Sequence, residues 1–253
     1  MGWGDELMAA GEAQRLFERN GKHAVIVDKL GNIRKHLAWA YNPIIRHRWD
    51  RVSPINRIQN GPSVRPYIQA KTLNNWLWKP YAPTPAVLYF DDIEKAEALR
   101  VSRGDFIVLE PNLKPKASPN KSWGRLNWMI LARLMRKNGL RPVQLAPFGA
   151  QVTEGIDVIR THDFRIACSV LAHARAAVLP EGGLHHAAAA VGTRAVVIYG
   201  GFISPAQTGY TLHRNIFTGG EPCGRRQPCP HCAEAMKQIT PELIMRNLLE
   251  VLK

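Results

Sequence analysis

Two hydrophobic periods alternate along the second half of this chain. Short apolar runs such as "IVL" and "AAVLP" are typical of buried strands, whereas "WGRLNWMILARLMRKNG" carries its apolar residues at helical spacing and ends at Gly139. Strands that alternate with helices form a parallel, doubly wound sheet, so the pattern predicts an α/β fold. The predicted strands lie at 105–110, 141–146, 155–161, 176–180 and 194–200, and the predicted helices at 123–139, 163–175 and 183–192.

The final segment, "TPELIMRNLLEVLK", has the pattern of an amphipathic helix. Thr240 is a favourable N-cap, and Pro241 suits the first helical position. The pattern predicts a closing helix and leaves open whether that helix packs back on the N-terminal half.

The first hundred residues have a weaker pattern. A helix follows a short loop at the start, strands are predicted at 23–28 and 86–90, and a helix at 91–100. Residues 41–84 are rich in Pro, Asn, Arg and Trp and lack periodicity, which is more typical of a functional or partner-binding segment than of filler. We predict two domains, one over residues 1–100 and one over residues 101–253.

Composition limits the functional classes. With 253 residues, 45% of them hydrophobic, the chain can bury one large core or two modest ones. No apolar run approaches the roughly 20 residues of a membrane span, and the acidic start lacks the order of a signal peptide, so we expect a cytoplasmic protein. The formal charge of +14 favours a polyanionic partner such as nucleic acid, an anionic lipid surface or a phosphorylated sugar, although a basic surface can also serve solubility alone.

The segment "LPEGGLHHAAAAVGTRAVVIYG" joins a predicted strand to a predicted helix through two glycines. In a parallel sheet, ligands bind beyond the carboxyl ends of the strands, and the N-terminus of a helix attracts anions. Gly182 and Gly183 would let a phosphate approach the backbone. His185 or His186 could donate to that phosphate, and Glu181 could bind a sugar hydroxyl. The structural alternative is a tight turn with one satisfied histidine, and the motif is neither G-x-G-x-x-G nor a Walker A loop.

A cysteine cluster, "PCGRRQPCPHC", precedes the closing helix. Cys223, Cys229 and Cys232 have a spacing typical of a structural zinc site, and His213 or His231 could be the fourth ligand. The alternative is three reduced thiols that pack a loop. Cysteines concentrated in one place suit a reducing compartment better than a disulfide framework.

Three stretches resemble the ADP-heptose:lipopolysaccharide heptosyltransferases of glycosyltransferase family 9. They are "GWGDELMAAGEA" at the start, "IVLEPNLKPKASPNKSWGRLNWMILARLM" from residue 107, and "EGGLHHAAAAVGTRAVVIYGGFISP" from residue 181, followed by the cysteine-rich tail. The likeness covers most of residues 105–253 and little of the rest. It implies a GT-B fold of two Rossmann-like domains with parallel sheets, here with a reduced N-terminal domain.

The resemblance also implies a reaction, the inverting and metal-independent transfer of a sugar from a nucleotide-diphosphate sugar to an acceptor hydroxyl. By position, Asp5 matches the family's catalytic base, and Lys121 matches a lysine that contacts the donor phosphates. The donor-binding turn of the family matches Glu181, Gly182, Gly183, Leu184, His185 and His186. Glu181 stands where the family usually has aspartate and His185 where it often has a small hydroxyl residue, so the donor sugar stays open.

Each of these assignments has an alternative. Asp5 could be a helix N-cap, in which case Glu6 is the nearest other candidate for the base. Lys121 could be one solvated cation among the 34 Lys and Arg residues, although it lies in a loop between a predicted strand and helix. Weaker candidates for the same anion lie in the same loop, namely Asn112, Lys114 and Lys116.

The N-terminal half departs from the family, because Met1 already lies in the loop that a first strand normally precedes. We therefore expect a start that is either truncated or divergent, and an acceptor other than that of lipopolysaccharide synthesis. Basic and aromatic residues interleave in this half, as in surfaces that hold nucleic acid strands. They are Arg46, Arg48, Arg51, Arg57, Arg65 and Lys71, with Trp49, Tyr67, Trp76 and Trp78.

The sequence thus favours a nucleotide-sugar glycosyltransferase, with a hydroxylated base in DNA as one acceptor and lipopolysaccharide or another phosphorylated glycan as the alternative. A plain aromatic core with a basic rim would give the same composition. A sugar-nucleotide epimerase and a non-catalytic, zinc-stabilised nucleic-acid-binding protein are the other classes that the sequence leaves open.

Overall fold

The structure is a computed structural model that describes residues 2–48, 54–61, 64–114 and 117–253. Three residues of the sequence-based hypotheses, Trp49, Arg51 and Lys116, lie outside these ranges. The helices are α1 (Trp3–Asn20), α2 (Asp92–Val101), α3 (Arg125–Lys137), α4 (Phe164–Leu171), α5 (Gly183–Ala190), α6 (Pro205–Thr208), α7 (Pro230–Lys237) and α8 (Pro241–Val251). The strands are β1 (Ala24–Val27), β2 (Asn56–Gln59), β3 (Ile68–Lys71), β4 (Trp76–Trp78), β5 (Ile107–Leu109), β6 (Pro142–Ala146), β7 (Asp157–Arg160), β8 (Ala176–Pro180), β9 (Ala195–Tyr199) and β10 (Arg214–Phe217).

The second half of the chain forms a six-stranded sheet in the order β10-β9-β8-β5-β6-β7, and every neighbouring pair in it is parallel. Strands β5, β6, β8 and β9 are buried on both faces, which explains why they read as continuous apolar runs. The predicted α/β fold with a parallel, doubly wound sheet is confirmed.

Helices cover both faces of this sheet. On one face, α3 and α8 enclose a core that includes Trp128, Leu131 and Leu248. Thr240 caps α8 as predicted, because its side chain accepts the backbone N–H of Leu243 at 3.2 Å. The closing helix therefore packs beside α3 on the six-stranded sheet.

The opposite face of the sheet packs against α4, α5 and the first helix of the chain. A single hydrophobic cluster joins Leu7 of α1 and Ile26 of β1 to Val108 and Leu179 of the central strands. Helix α1 contacts α5 directly. This packing brings the start of the chain against the carboxyl edge of the large sheet.

The N-terminal half holds two small sheets. Strands β1 and β2 form a parallel pair, and β3 and β4 form an antiparallel hairpin. The prediction of a strand at 86–90 was wrong, since this segment belongs to no sheet. Within this segment, the backbone carbonyl of Tyr89 instead accepts a hydrogen bond from the side chain of Arg165, at 2.5 Å.

Among the helices of the described residues, none is both long and apolar enough to cross a bilayer.

Candidate active site

The large sheet has a topological switch point between β5 and β8. From β5 the chain runs outward through β6 and β7, and it then returns to β8 on the other side of β5. Loops that follow the two central strands therefore diverge and leave a crevice at the carboxyl edge, where ligands of open α/β sheets bind. The loop after β5 carries Lys121, and the turn after β8 carries Glu181 to Gly183.

Lys121 and Glu181, which are 60 residues apart, meet in this crevice. The ammonium group of Lys121 donates to Oε2 of Glu181 and also lies 5.2 Å from the ring centre of Phe202. Burial opposes the ionisation of Glu181, but the charge and hydrogen bond of Lys121, together with smaller contributions from His185 and Thr208, lower the pKa of Glu181. The two residues that the sequence assigned to a donor phosphate and a sugar hydroxyl thus form one partly buried ion pair.

The N-terminus of α1 lies against the N-terminus of α5. A β-carbon on Gly183 would be 3.6 Å from Cβ of Trp3, whose ring stacks on Phe164 at a centroid distance of 4.5 Å. A β-carbon on Gly4 would be only 2.5 Å from Cδ2 of His186. Glycine at position 4 is what lets the two helices approach so closely.

Both histidines of the predicted donor turn are buried. His185 accepts the N–H of Gly182 at Nδ1, at 3.1 Å, and its Nε2 lies 2.9 Å from the carbonyl of Thr208. His186 pairs with the hydroxyl of Tyr210 at 2.8 Å. Burial lowers the pKa of His185 well below its usual range and that of His186 to about 3. Both imidazoles are neutral and are hydrogen-bonded to other groups of the protein, so they support the turn from inside the core.

Glu181, His185 and His186 also bring their potential ligand atoms within 4.8 Å of one another. A cation at this point would have to displace Lys121 from Glu181 and break the histidine hydrogen bonds. The group is better suited to hold the turn than to bind a metal.

Asp5 lies in the first turn of α1, and its carboxylate is engaged on both oxygens. The hydroxyl of Tyr67 donates to Oδ1 at 2.6 Å. Arg65 contacts Oδ2 at 3.0 Å, and the backbone N–H of Gly2 reaches the same oxygen at 3.3 Å. The N-cap residue of α1 is Gly2, and Asp5, at the third helical position, contributes to the cap by accepting the N–H of Gly2, as the alternative interpretation of Asp5 predicted; its side chain is 9% exposed.

Glu6, the other candidate for the base, serves the fold. Its carboxylate is 1% exposed, accepts from Arg34 at 2.7 Å and accepts from Asn60 at 3.0 Å. Both oxygens of this carboxylate are thus engaged by side chains of the N-terminal half.

Two weaker candidates lie beside the site. Lys114 is exposed, and a β-carbon on Gly2 would lie 2.7 Å from its Nζ, so this ammonium group is close to the start of α1. Asn112 braces the loop, because its side chain donates to the carbonyl of Gln151 at 2.8 Å.

Glu110, which the sequence reasoning missed, directly follows β5. By strand alternation it shares a face with Val108, the face on which α5 lies. Burial raises the pKa of Glu110 to about 8, against the opposing effect of the backbone N–H of Asn112. An acidic residue that ends an apolar strand at the switch point was the signal that could have revealed it.

The cysteine cluster forms a compact group behind the crevice loop, since the N–H of Cys229 donates to Asn120. Sγ of Cys223 lies 3.7 Å from Sγ of Cys229 and 3.3 Å from Sγ of Cys232, too far for disulfides. A ligand atom of His231 lies within 4.8 Å of these sulfurs. Thiolates bound tetrahedrally to zinc are expected to have sulfur–sulfur distances of about 3.8 Å. The sulfurs of this cluster are close to that spacing, so the residues fit a metal ion.

Of the two histidines considered as a fourth ligand, His231 lies with the cysteines. His231 donates its Nε2 proton to the carbonyl of Gly219 at 2.7 Å, which leaves Nδ1 free to bind a metal. His213 lies elsewhere, with its Nε2 at 3.2 Å from the carbonyl of His185. His231 is therefore the residue that completes the group.

The aromatic residues of the N-terminal half pack on one another. Tyr67 stacks on Trp78 at a centroid distance of 6.0 Å, and Trp76 and Phe202 pack against Trp78 at 5.5 Å and 5.3 Å. Arg46, Arg48 and Arg57 are exposed, while Arg65 contacts Asp5, and Lys71 lies 5.1 Å from the ring centre of Trp76. The interleaved pattern thus separates into an aromatic cluster and a basic surface.

Comparison with known proteins addresses the fold. No protein-family model matches the chain, and no curated protein matches its sequence significantly. Solved structures do match. The glycosyl transferase family 9 protein of Veillonella parvula DSM 2008 is 10% identical over 100% of this chain and 95% of its own, with a TM-score of 0.65. This chain has a family 9 glycosyltransferase fold.

Two further solved structures are similar to this chain. TibC, an iron-containing dodecameric glycosyltransferase of enterotoxigenic E. coli H10407, is 14% identical over 99% of this chain and 74% of its own, with a TM-score of 0.63. ADP-heptose lps heptosyltransferase II of E. coli is 21% identical over 70% of this chain, with a TM-score of 0.49, and the chain spans only 54% of its length. The predicted heptosyltransferase-like, GT-B-type fold is confirmed.

Proposed function

We propose that this protein is a glycosyltransferase that uses a nucleotide-diphosphate sugar. The observation that carries the proposal is the meeting of α1 and α5 at the switch point of the sheet. It brings a carboxylate, Asp5, to the crevice where a helix N-terminus and Lys121 can receive a diphosphate. The N-terminal half would bind the acceptor, and the six-stranded unit would bind the donor.

The first step of this function is donor binding. The backbone N–H groups in the first turn of α5 have no partner within the helix, and they attract an anion together with Lys121. When the diphosphate binds, Lys121 exchanges part of its contact with Glu181 for phosphate oxygens, and Glu181 becomes free to accept from a sugar hydroxyl. A solved complex of TibC holds ADP-D-beta-D-heptose, which makes ADP sugars the first donors to test.

The second step is transfer. Asp5 takes the proton of the acceptor hydroxyl, whose oxygen attacks the anomeric carbon on the face opposite the leaving nucleoside diphosphate. The sugar is transferred with inversion, because one displacement occurs. Lys121 and the N-terminus of α5 stabilise the charge that develops on the diphosphate, the role that a catalytic metal has in other transferases.

For the acceptor we propose a polyanion. The exposed Arg46, Arg48 and Arg57 lie beside the small parallel sheet, and the chain carries a formal charge of +14. Phosphates of DNA and of a phosphorylated glycan would both be attracted to this surface. The packed aromatic cluster gives no free platform for base stacking, so offering the active protein each acceptor class decides between a hydroxylated base in DNA and a glycan.

The cysteine group would hold one structural metal. Zinc suits three thiolates and one imidazole, while the iron of TibC makes iron the alternative. Reduced thiols of this kind belong to a reducing compartment, so we include a cytoplasmic location in the proposal.

Asp5→Asn tests the function. After a panel of nucleotide sugars identifies a donor by thermal stabilisation, the variant should bind that donor normally and lose about 100 to 10,000-fold in turnover, as expected for the loss of a general base. The matched control is Asp91→Asn, because Asp91 caps α2 away from the crevice. This control should keep turnover near the wild-type rate.

Two results would contradict the proposal, and a third would contradict only the role of Asp5 in it. If no nucleotide sugar binds while DNA binding is strong and salt-sensitive, the protein is a nucleic-acid-binding module. If the bound sugar is changed or released without an acceptor, it is an epimerase or a hydrolase. Near wild-type transfer by Asp5→Asn would leave the glycosyltransferase but exclude Asp5 as its base.

A further inference from the structure

Asp5 is held by two side chains from one short segment, and neither belongs to the helix of Asp5 or to the donor turn. Tyr67 and Arg65 lie at the entrance of the β3–β4 hairpin and reach across to the start of α1. We infer that Arg65 and Tyr67 are positioning residues that orient Asp5 for proton transfer, and that Nε of Arg65 donates to an oxygen of the bound acceptor. The inference rests on the proposed function.

Tyr67 fixes one oxygen of the carboxylate. Its hydroxyl lies 2.6 Å from Oδ1 of Asp5, and its ring is 6% exposed because it stacks on Trp78. Burial, and next the charge of Asp5, raise the pKa of Tyr67 well above its usual range, so the phenol stays protonated and donates. Oδ1 keeps a second lone pair for the proton of an acceptor hydroxyl.

Arg65 fixes the other oxygen and also has an N–H group, Nε, without a hydrogen-bond partner among the described residues. Its Nη2 lies 3.0 Å from Oδ2 of Asp5, and its guanidinium group lies 5.3 Å from the ring centre of Trp76. Within the described part of the chain, its buried Nε has no hydrogen-bond partner. A buried N–H is costly to leave unpaired, and this one lies next to the proposed base. An acceptor oxygen close to the attacking hydroxyl would satisfy it.

The other charges around Asp5 come from several elements. Lys114 lies close to the start of α1, in the loop after β5. The pKa of Lys71 of β3 is lowered, chiefly by burial, with contributions from the charges of Arg65 and Asp5. Glu181 acts on Tyr67 from the donor side, while Glu6 of the same helix is neutralised by Arg34. The surroundings of Asp5 are therefore mainly cationic, and its neutral donors are the Tyr67 hydroxyl and the backbone N–H of Gly2.

Tyr67→Phe is the first test variant. We expect kcat to fall about 10 to 100-fold, since a misplaced base loses its alignment, with the KM for the donor unchanged. Removal of a donor from the carboxylate makes it a stronger base, so the acidic limb of the rate–pH profile should move to higher pH. The matched control is Tyr81→Phe, because Tyr81 is also shielded but lies near Glu12 and Arg15 of α1. Its profile should match that of the wild type.

Arg65 gives the second variant pair. Arg65→Lys keeps a positive charge for Asp5, but its ammonium group has no N–H at the position of Nε, so kcat should be largely retained while the KM for the acceptor rises. Arg65→Gln should lose both the positive charge beside Asp5 and the donor at the position of Nε, with kcat reduced as in Tyr67→Phe. Equal acceptor KM values for the wild type, the lysine variant and the glutamine variant would exclude the contact with the acceptor.

A double-mutant cycle keeps the inference separate from the proposed function. The effects of Asp5→Asn and Tyr67→Phe on urea unfolding should be non-additive, since the two side chains share a hydrogen bond. Additive effects would overturn the inference whether or not the protein is an enzyme. If the Tyr67→Phe variant is active and the acidic limb of its rate–pH profile does not move, only the positioning role of Tyr67 is overturned. A wild type that binds no nucleotide sugar would instead overturn the proposed function.

Discussion

At the scale of single residues, three buried histidines give the protein a definite response to acid. Burial lowers the pKa of His186 to about 3 and that of His213 to about 4, and it lowers the pKa of His185 well below its usual range. All three are 7% exposed or less. In the unfolded chain they would titrate at about 6.5, so folding requires their neutral forms.

We predict that the free energy of unfolding falls as the pH is lowered from about 6.5 to about 4. In this window the unfolded chain binds protons that the folded protein excludes, and each such group contributes roughly 1.4 kcal/mol per pH unit. Urea unfolding at several pH values measures the slope. A flat curve between these limits would show that the three imidazoles are protonated in the folded state.

Glu110 acts in the opposite sense. Its pKa of about 8 in the folded protein lies above that of an unfolded glutamate, so its contribution to stability is present at low pH and is lost as the pH rises through 8. The three histidines dominate below 6.5, and Glu110 lowers the stability above it. Glu110→Gln should flatten the alkaline side of the curve, whereas Glu154→Gln, at an exposed position, should leave it unchanged.

At the scale of elements, the β3–β4 hairpin connects the candidate base to the cysteine loop. The backbone N–H of Trp76 donates to the carbonyl of Gly224 at 3.0 Å, and Nε1 of Trp78 donates to the carbonyl of Phe202 at 2.9 Å. The same hairpin begins directly after Arg65 and Tyr67. The orientation of Asp5 therefore depends on where the hairpin docks.

Gly224→Ala tests this dependence. Gly224 has a φ of +61°, and a β-carbon would lie 1.9 Å from the carbonyl oxygen of Trp76, so the hairpin must move. We predict lower stability and lower turnover with donor affinity retained. Gly220→Ala is the control, because Gly220 has a φ of +57° but open space around its β-carbon position. The control should show only the backbone strain, about 1 kcal/mol. Equal turnover in the two variants would mean that hairpin docking does not influence the base.

At the scale of the whole molecule, the cysteine loop is hydrogen-bonded to the crevice loop of the second half and to the β3–β4 hairpin of the first half. Asn120 of the crevice loop donates to the carbonyls of Arg225 and Gln227, at 2.8 Å and 2.7 Å, and accepts the N–H of Cys229 at 3.1 Å. The loop that would hold the metal thus contacts both the donor side and the hairpin.

We predict about one equivalent of zinc or iron per chain in protein purified without added metal, as expected for a closed site. Cys232→Ser should abolish it and lower the Tm, because the loop that anchors the hairpin loses its cross-link. Cys168→Ser is the control, since Cys168 is buried in α4, and the metal content should not change. A metal-free wild type of undiminished stability would contradict this prediction.

Local pattern accounts for the parts of the fold that the sequence predicted. The strands of the large sheet are buried on both faces, so their apolar runs are continuous, and α3 and α8 have an apolar face with clear ends at Gly139 and Thr240. In the segment of residues 41–84 the pattern missed β2 and the β3–β4 hairpin, because these short strands are only partly buried.

The sequence by itself determined the α/β order, the closing helix, the glycine turn after β8 and the spacing of the cysteines, since each depends on residues close together in the chain. Only the tertiary structure decided that Lys121 pairs with Glu181, that Arg65 and Tyr67 hold Asp5, and that the histidines of the donor turn are buried. It also decided that 86–90 pairs with no strand. These outcomes depend on which distant segments meet, and neither periodicity nor composition records that.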